Sequence, residues 1–527
     1  MAAGRSDKTP FYITTAISYV NGPPHLGHAY EAISTDVIAR FKRLDGYDVM
    51  FLTGTDEHGQ KVEKTARAAG KEPKAFSNEI ATLFQEMAAD LNISNDAFIR
   101  TTEPRHYEAS QGIWRKLEEN GDIYLDKYEG WYSIRDEAFY DEKELTKAED
   151  GSLRAPTGTE VEWVAEESYF FKLSAYQDRL LAHYEANPGF IRPDFRRNEV
   201  VSFVRQGLRD LSVSRKTFDW GVPVPGDPDH VMYVWLDALT NYITAVGYPD
   251  ENDPLFKRYW PADVHIIGKD IVRFHAIYWP AFLRSAGLAL PKCVFGHGHL
   301  NEKGGAKMSK SAGNVIGHRD LVGEFGLDPV RYFMMREVPY GQDGAFSREA
   351  MIQRINADLA NDLGNLAQRV LSMIARNCDG RVPEAGALAA EDESLLAAAR
   401  AAAPEMREAM AGLAIHRALE ALWRVIAEAN RYLDAQAPWA LRKGDPARMA
   451  TVLWVAAETI RHVAVLAQPV TPQAMGNLLD QLAVPAEARD IAHLDAANAL
   501  MPGTELPKPE GVFPRFVEPE AAAAAGS

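Results

Sequence analysis

The sequence predicts an α/β domain that is split by an α+β insert and followed by an all-α helical bundle. Strand and helix patterns alternate at the start of the chain, as they do in doubly wound sheets. Between roughly Gly112 and Phe203 many aromatic and charged residues occur in short irregular runs, which indicates an inserted module. After about Ser347 apolar residues recur every three or four positions, which is typical of helices that pack in a bundle.

The beginning of the chain has the pattern of a β-α-β unit. The segment from Phe11 to Tyr19 is rich in β-branched and aromatic residues and ends at a Gly-Pro-Pro break, so we expect a strand and a turn. From Leu26 the apolar residues follow helical spacing up to residues 45–46, and a second strand pattern runs from Val49 to Leu52.

Further strands are predicted beyond the insert, at Val231–Leu236 and Val264–Ile267, each followed by a helix-compatible stretch. The insert is therefore expected to divide one sheet into two parts of the sequence. The helical pattern continues to about Leu494, and we expect the last residues to form a trailing tail. The expected boundaries are 1–115 and 213–295 for the two halves of the sheet domain, 116–212 for the insert, 296–346 for a loop and connecting region, and 347–527 for the helical domain with its tail.

Composition excludes several classes of protein. The chain has 527 residues, of which 46% are hydrophobic and 25% charged, so several cores are expected and no apolar run is expected to span a membrane. Only Cys293 and Cys378 are present, which excludes a disulfide framework and a multi-thiolate zinc knuckle, so no structural zinc is expected. No signal or transit segment is evident at the start, and a cytoplasmic location is expected.

The net charge of −17 argues against a protein that coats nucleic acid by electrostatics alone. One short stretch of the chain is nevertheless rich in positively charged residues. It favours either a patch that follows a nucleic-acid strand or a solvated basic face beside acidic neighbours. Its basic residues are Arg192, Arg196, Arg197, Arg205, Arg209, Arg215 and Lys216.

The motif His25-Leu26-Gly27-His28 follows Pro24 where the first strand gives way to the first helix. A helix N-terminus presents backbone N–H groups and a positive dipole end, which suit a nucleotide triphosphate. The two imidazoles can donate to phosphate oxygens, and Gly27 leaves room for the adenine base. Other nucleotidyltransferases carry similar motifs, so this motif alone does not define the reaction.

A second motif, Lys307-Met308-Ser309-Lys310-Ser311, has glycines before and after it. Flanking glycines predict a mobile loop. Two ammonium groups on such a loop can close over a triphosphate and stabilise the charge that develops during displacement at phosphorus. By itself the lysine pair is also compatible with a solvated basic loop.

Together and in this order, the two motifs resemble the HIGH and KMSKS signatures of the class I aminoacyl-tRNA synthetases. Within that class, the segments TAISYVNGPPHLGH, TGTDEHGQK, VWLDALTNY, IIGKDIVRFHAIYWP and GAKMSKSAGNVI resemble those of methionyl-tRNA synthetases. The resemblance implies a Rossmann catalytic domain, an anticodon-binding helical domain, and ATP, Mg²⁺, L-methionine and tRNA(Met), both initiator and elongator, as ligands.

The resemblance also implies roles for individual residues. Asp56 would hold the methionine ammonium in a soft, aromatic-lined pocket, an environment that suits a thioether. The residues implied for this pocket are Ala16, Ile17, Tyr19, Asp56, Trp235, Ala238, Leu239, Tyr242, Ile271 and His275. Relatives also carry Leu at the position of Ile17 and Pro at the position of Leu239.

For ATP the resemblance implies an overlapping set of charged and small residues, with the two histidines and two lysines of the motifs as the catalytic groups. Arg215 would contact the substrate carboxylate or ATP. The residues implied for ATP are His25, Gly27, His28, Glu31, Lys269, Asp270, Lys307, Ser309 and Lys310.

For RNA the resemblance implies that Asn365, Arg369 and Trp439 recognise the anticodon. Asn365 and Arg369 are four apart on one predicted helix, so they share a face. An indole ring can stack on an unstacked base while the polar groups bind its edge. Without the resemblance, a capping tryptophan and a surface arginine would explain these residues equally well.

The insert departs from many relatives, which carry cysteine-bearing zinc knuckles there. Packing of Trp131, Tyr132, Phe139 and Tyr140 is expected to close this module without metal. Some relatives also have an appended dimerising domain after the helical bundle; its absence here favours a monomer.

Alternative functions stay open at this point: a sister class I synthetase for leucine, isoleucine, valine or cysteine, a non-catalytic tRNA-binding paralogue, or a nucleotidyltransferase that joins CMP to a small alcohol. The absence of a large editing insert argues against the first. The presence of both signature motifs argues against the second, and the predicted helical domain argues against the third.

Overall fold

The computed structural model describes residues 7–136, 138–148, 150–302 and 317–518. Its strands, in chain order, are β1 (Pro10–Thr14), β2 (Ser18–Tyr19), β3 (Asp48–Asp56), β4 (Ala97–Arg100), β5 (Ile123–Ser133), β6 (Ala138–Tyr140), β7 (Thr146–Lys147), β8 (Leu153–Arg154), β9 (Glu162–Phe171), β10 (Ile191–Arg192), β11 (Leu211–Ser212), β12 (Ser214–Arg215), β13 (Pro223–Val224), β14 (Asp227–Met232), β15 (Val264–Gly268), β16 (Val294–His297), β17 (Leu300–Glu302) and β18 (Gly344–Phe346).

The α-helices follow the same order. They are α1 (Leu26–Leu44), α2 (Gln60–Ala68), α3 (Pro73–Asp90), α4 (Pro104–Glu119), α5 (Gln177–Ala186), α6 (Asp194–Arg205), α7 (Val234–Thr244), α8 (Pro254–Tyr259), α9 (Trp279–Ser285), α10 (His318–Phe325), α11 (Leu327–Glu337), α12 (Arg348–Arg354), α13 (Asn365–Asn377), α14 (Ala390–Ala411), α15 (Ile415–Gln436), α16 (Pro438–Gly444), α17 (Pro446–Ala467) and α18 (Pro472–Gln481). Segments Phe274–Tyr278 and Ile355–Gly364 are π-helical.

The described part of the chain divides into two compact units. The first, termed the sheet unit, contains Pro10–Pro24 and Met50–His297. The second, termed the helical unit, contains the described residues of Met1–Thr9, His25–Val49 and Gly298–Ser527.

The sheet unit is built on a sheet with the strand order β10-β16-β15-β1-β3-β2, and β4 pairs with the other side of β3. Strands β1 and β15 run parallel, as do β15 and β16, and β3 and β4. Because β15 and β16 come after the insert and β1 and β3 before it, one sheet is assembled from both sides of the insert, as the sequence predicted. The central strands β3 and β15 are almost wholly buried, which explains their continuous apolar runs.

Four strands of the insert form a separate antiparallel sheet with the strand order β11-β9-β5-β6, whereas β10, which also lies within 116–212, joins the main sheet beside β16. Long pairing between β5 and β9 places Trp131 opposite Trp163, and their rings meet edge to face at 5.2 Å. Tyr132 is buried, and the hydroxyl of Tyr140 donates to Asp136. The side chain of Phe139 lies outside the described residues, so its expected packing stays a prediction.

One predicted strand is wrong. The apolar run Val231–Leu236 does not continue the parallel sheet: β14 ends at Met232 in a small antiparallel sheet with β12 and β13, and α7 begins at Val234. A short apolar run does not distinguish a strand from the buried start of a helix, and here it covers the end of one and the start of the other. The strand predicted at Val264–Ile267 is confirmed as β15.

In the helical unit, α1 is anchored by buried polar contacts. Asp36 forms a buried ion pair with Arg331 of α11 at 2.6 Å, and the hydroxyl of Tyr340 donates to Ser34 at 3.0 Å. Arg331 also donates to the backbone carbonyls of Pro469 and Val470. The helix that begins at the HxGH motif is therefore fixed within this unit by residues far along the sequence.

The bundle predicted after Ser347 is confirmed, with α14, α15 and α17 packed together. By length and composition α17 is apolar enough to span a membrane, contrary to the expectation from the sequence, but 89% of its apolar window is buried inside the structure. The core helix of a bundle can have the same length and apolar composition without a membrane. The segment expected as a trailing tail contains no helix or strand over residues 503–518, and it is attached where residues 503–506 exchange backbone hydrogen bonds with 380–382 and where Phe513 is buried.

Candidate functional site

The two histidines of the HxGH motif start α1 by capping each other. Nδ1 of His25 accepts from the backbone N–H of Gly27 at 3.1 Å, and Nδ1 of His28 accepts from the backbone N–H of His25 at 3.2 Å. An imidazole nitrogen that accepts carries no proton, so the neutral rings carry theirs on Nε2. Local capping therefore sets both rings as Nε2–H donors at a helix N-terminus, where an anion is stabilised.

Gly27 has a second reason to be glycine. A Cβ at this position would lie 2.9 Å from Cε1 of His25, closer than real Cβ contacts. The neighbour that leaves no space for a side chain at Gly27 is therefore the His25 ring. The adenine contact expected from the sequence stays a prediction.

The residues predicted for methionine lie in the sheet unit on four segments: the β1–β2 region, the end of β3, α7, and the turns that carry Ile271 and His275. Ala16 and Ile17 connect β1 to β2, and Tyr19 of β2 pairs in register with Asp56 at the end of β3. Trp235, Ala238, Leu239 and Tyr242 repeat at i, i+3, i+4 and i+7 on α7, so they share one face of this helix.

His275 joins this face from a π-helical turn. The hydroxyl of Tyr242 lies 2.7 Å from Nε2 of His275, and Nδ1 lies 2.9 Å from the carbonyl oxygen of Ile271. A carbonyl only accepts, so Nδ1 carries the proton and Nε2 accepts from Tyr242. Burial lowers the pKa of His275 to about 4, so the ring is neutral near pH 7. π-Helical turns often occur at functional sites, because the extra residue per turn redirects a side chain.

The structure therefore brings Tyr242, His275, Ile271 and Trp235 together, with the rings of Trp235 and His275 edge to face at 6.1 Å. Sequence reasoning missed Phe274, whose ring stacks on Trp235 at 3.8 Å with an angle of 6° between the ring planes. Its position beside His275 was the available signal. An aromatic wall of this kind suits an apolar, polarizable side chain.

Arg215 is buried rather than part of an exposed basic patch. It donates to Ser212 Oγ at 2.9 Å and to the Ser214 carbonyl at 2.6 Å, and it lies 4.7 Å from the ring centroid of Tyr233. Other members of the basic stretch are engaged by acidic neighbours: Arg196 with Glu199, Arg209 with Asp141, and Lys216 with Glu167. This stretch therefore fits a solvated, charge-balanced surface better than a patch that follows a nucleic-acid strand.

The remaining residues predicted for ATP are divided between the units. Glu31 lies on α1 in the helical unit, and Lys269 and Asp270 form a 3₁₀ turn directly after β15 in the sheet unit. Lys307, Ser309 and Lys310 lie outside the described residues. The end of a central parallel strand is where doubly wound folds bind nucleotides, which agrees with the place of Lys269 and Asp270.

The residues predicted for the anticodon come together in the helical unit. Asn365 and Arg369 lie one turn apart on α13, directly after the π-helical segment. The guanidinium of Arg369 lies 5.2 Å from the ring centroid of Trp439 and pairs with Asp434 at 2.6 Å. Trp439 is 49% exposed, which is unusual for an indole ring and leaves a face for stacking.

Family models match nearly the whole chain. The model "tRNA synthetases class I (M)" matches residues 11–149 and 152–371, and the model "Anticodon binding domain of methionyl tRNA ligase" matches 382–525. The chain belongs to the class I methionyl-tRNA synthetases. This membership confirms the fold class predicted from the sequence, and it makes the chain an aminoacyl-tRNA ligase.

Individual relatives agree with this assignment. The chain is 60% identical over 516 residues to the methionine–tRNA ligase of Rhizobium meliloti strain 1021, which covers 98% of this chain and 100% of that one. A structure titled Mycobacterium tuberculosis methionyl-tRNA synthetase in complex with methionyl-adenylate is similar with a TM-score of 0.94 at 56% identity, covering 96% of this chain and 100% of that one. The apo form of the same enzyme has a TM-score of 0.88.

Proposed function

We propose that the chain activates L-methionine with ATP and esterifies it to tRNA(Met). The observation that carries this proposal is the buried Tyr242–His275 pair opposite the stacked Trp235, within a synthetase fold whose α1 begins with two capped histidines. The pair would supply one fixed polar edge to a pocket that is otherwise lined by apolar and aromatic side chains. Sister synthetases, a non-catalytic tRNA-binding paralogue and a nucleotidyltransferase are not favoured by the family match.

In the first step a carboxylate oxygen of methionine attacks the α-phosphorus of ATP. A phosphorus–oxygen bond forms, the bond to the β-phosphate oxygen breaks, and pyrophosphate leaves. In the second step the terminal ribose hydroxyl of tRNA attacks the carbonyl carbon of the adenylate, AMP leaves with the electron pair, and the hydroxyl proton is lost. Resemblance to class I favours the 2′-hydroxyl. No covalent bond to the protein is needed.

Different residues would bind different parts of the substrates. Asp56 would bind the methionine ammonium, and Ala16, Ile17, Tyr19, Ala238 and Leu239 would line the side-chain pocket together with the aromatic groups described above. The Nε2–H groups of His25 and His28 would donate to phosphate oxygens, because their Nδ1 atoms are already occupied as caps. Lys307 and Lys310 would neutralise the departing pyrophosphate.

Mg²⁺ is proposed only as a companion of the ATP phosphates. Within the described residues, no group of three or more His, Cys, Asp or Glu side chains is placed to hold a metal ion. We therefore assign no step to a metal that is bound by protein side chains alone. We further propose a monomer in the cytoplasm, and the domain boundaries given from the sequence stay a proposal.

The reaction is tested by ATP–pyrophosphate exchange with each amino acid in turn, followed by aminoacylation of total tRNA. We expect exchange that depends on methionine and charging of tRNA(Met). Exchange with leucine or valine would instead assign the activity of a sister synthetase. These amino acids have to be assayed because one methylene changes the binding energy by only about 1–3 kcal/mol. The absence of exchange with any amino acid would refute catalysis.

A further inference from the structure

A carboxylate lies buried between two imidazoles in the sheet unit, on residues that have no role in the site described above. Nδ1 of His58 lies 2.7 Å from Oδ2 of Asp237, and Nε2 of His106 lies 2.7 Å from Oδ1. All three side chains are almost fully buried. A charge so deeply buried is stable only when its partners surround it, as these two rings do.

Hydrogen-bonding partners fix the protons and the orientation of this cluster. Burial by itself would raise the pKa of Asp237, but His58 and His106 outweigh it and hold the pKa at about 2. The carboxylate is therefore ionised and only accepts, so His58 donates from Nδ1 and His106 from Nε2. At the far side of His58, Nε2 lies 2.9 Å from the hydroxyl of Tyr107, which stays protonated because burial raises its pKa to about 12.

The cluster connects three elements of the sheet unit. His58 lies in the turn after β3, two residues beyond Asp56. Asp237 lies on α7, between Trp235 and Ala238, and His106 lies on α4. The hydrogen bond between His58 and Asp237 thus joins the turn that directly follows the proposed ammonium-binding carboxylate to the helix that carries the proposed side-chain pocket.

The same turn is fixed independently on its other side. The carboxylate of Glu57 receives two hydrogen bonds from Arg100 at 2.6 and 3.0 Å, and its carbonyl accepts from the indole N–H of Trp220 at 2.6 Å. The backbone N–H of Gly59 donates to the carbonyl of Trp220 at 3.0 Å. These contacts hold the turn on one side, and the hydrogen bond from His58 to Asp237 connects it to α7 on the other.

We propose that His58, Asp237 and His106 are positioning residues for the amino acid, which hold Asp56 at a fixed place relative to the Trp235–Tyr242 face of α7. The inference rests on the proposed methionine site. A network of fixed side chains behind the contacting residues is what keeps a binding site within a fraction of an ångström of its productive geometry. Disrupting this network should therefore weaken methionine binding more than ATP binding.

Amide substitutions that match the position of one ring nitrogen test this proposal. The amide nitrogen of Asn occupies the place of Nδ1, and that of Gln the place of Nε2. His58→Asn and His106→Gln therefore keep the donor that faces Asp237, whereas His58→Gln and His106→Asn misplace it. Asp237→Asn removes the charge and keeps the shape.

The measurement is methionine-dependent ATP–pyrophosphate exchange with the full chain, giving kcat and separate KM values for methionine and ATP, together with the melting temperature. We expect His58→Gln, His106→Asn and Asp237→Asn to raise the KM for methionine about tenfold or more. Each of these changes leaves a buried polar group without its hydrogen-bond partner, and such a group is energetically unfavourable. The KM for ATP should change less than about twofold, and the two matched amides should restore the KM for methionine to within about threefold.

Glu458→Gln is the control for loss of stability alone. Glu458 is a buried carboxylate beside Arg461 and His462 on α17 of the helical unit, so it resembles Asp237 chemically but lies outside the elements that carry the proposed pocket. It should lower the melting temperature and leave both KM values unchanged. The proposal is overturned if the mismatched variants lower only the melting temperature, or if they raise both KM values equally. If the unmodified chain shows no exchange with methionine, the proposed function fails instead.

Discussion

Removing the buried cation that anchors α1 is expected to destabilise the helical unit strongly. Arg331 is fully buried, pairs with Asp36 at 2.6 Å, and donates to the carbonyls of Val470 at 3.0 Å and Pro469 at 2.9 Å. Arg331→Met keeps most of the volume but leaves the Asp36 carboxylate without this partner. Breaking a buried pair from one side costs about 3–5 kcal/mol.

This magnitude is large for a domain. Total stabilities are about 5–15 kcal/mol, so Arg331→Met would remove a large fraction and lower the melting temperature by about 10 °C. The comparison variant is Arg424→Met, which breaks the exposed pair with Glu405 and should shift melting by less than about 2 °C. Melting is followed by far-ultraviolet circular dichroism and calorimetry.

A double-mutant cycle decides whether the pair is the cause. Asp36→Asn together with Arg331→Met should cost clearly less than the sum of the two single changes, because each single change already removes the ion pair between the two residues. Additive losses would show that the two residues act independently. A loss no larger than that of Arg424→Met would refute the reasoning as a whole.

Three further predictions concern the site. Trp439→Ala should raise the KM for tRNA about tenfold or more in aminoacylation, since one stacked base contributes about 1–3 kcal/mol, whereas exchange without tRNA should change less than about twofold; an equal loss in both assays would contradict an anticodon role. Gly27→Ala should displace the His25 ring, because the new Cβ would lie 2.9 Å from Cε1, and lower kcat for exchange about tenfold or more with little change in melting temperature; an unchanged kcat would contradict the assigned role of His25. For His275 the folded pKa of about 4 lies below the unfolded value of 6.5, so the unfolded state binds the proton first and stability present above pH 6.5 is lost as pH falls towards 4. Urea titrations from pH 7 to pH 4 should show that His275→Gln loses less stability than the wild type, by up to about 3 kcal/mol, and equal losses would contradict burial of a neutral ring.

Features that depend on neighbouring residues were predictable from the sequence. The start of α1 is set by His25 and His28, whose side chains cap backbone groups within three positions. The shared face of Trp235 and Tyr242 follows from helical spacing alone. These arrangements use contacts within one or two turns, so the residue pattern contains them.

Features that join distant parts of the chain were not predictable. His106 carries no motif, and nothing in its surroundings indicates that it faces Asp237, 131 positions away. The contact of Arg369 with Trp439 is similar: the sequence predicted both residues for the anticodon but not that the guanidinium lies beside the ring. The strand predicted at residues 231–236 is wrong because an apolar run indicates burial but does not distinguish a strand from a helix.

The sequence by itself therefore determined the family, the Rossmann and helical domains, and the residue types at the helix that begins with HxGH. Only the tertiary structure decided that Tyr242 donates to a neutral His275, that Phe274 stacks on Trp235, and that a buried carboxylate connects the turn after β3 to α7. The physical reason is that local capping and periodicity are set by adjacent residues, whereas proton placement and ring stacking depend on which distant groups the folded chain brings within hydrogen-bonding distance.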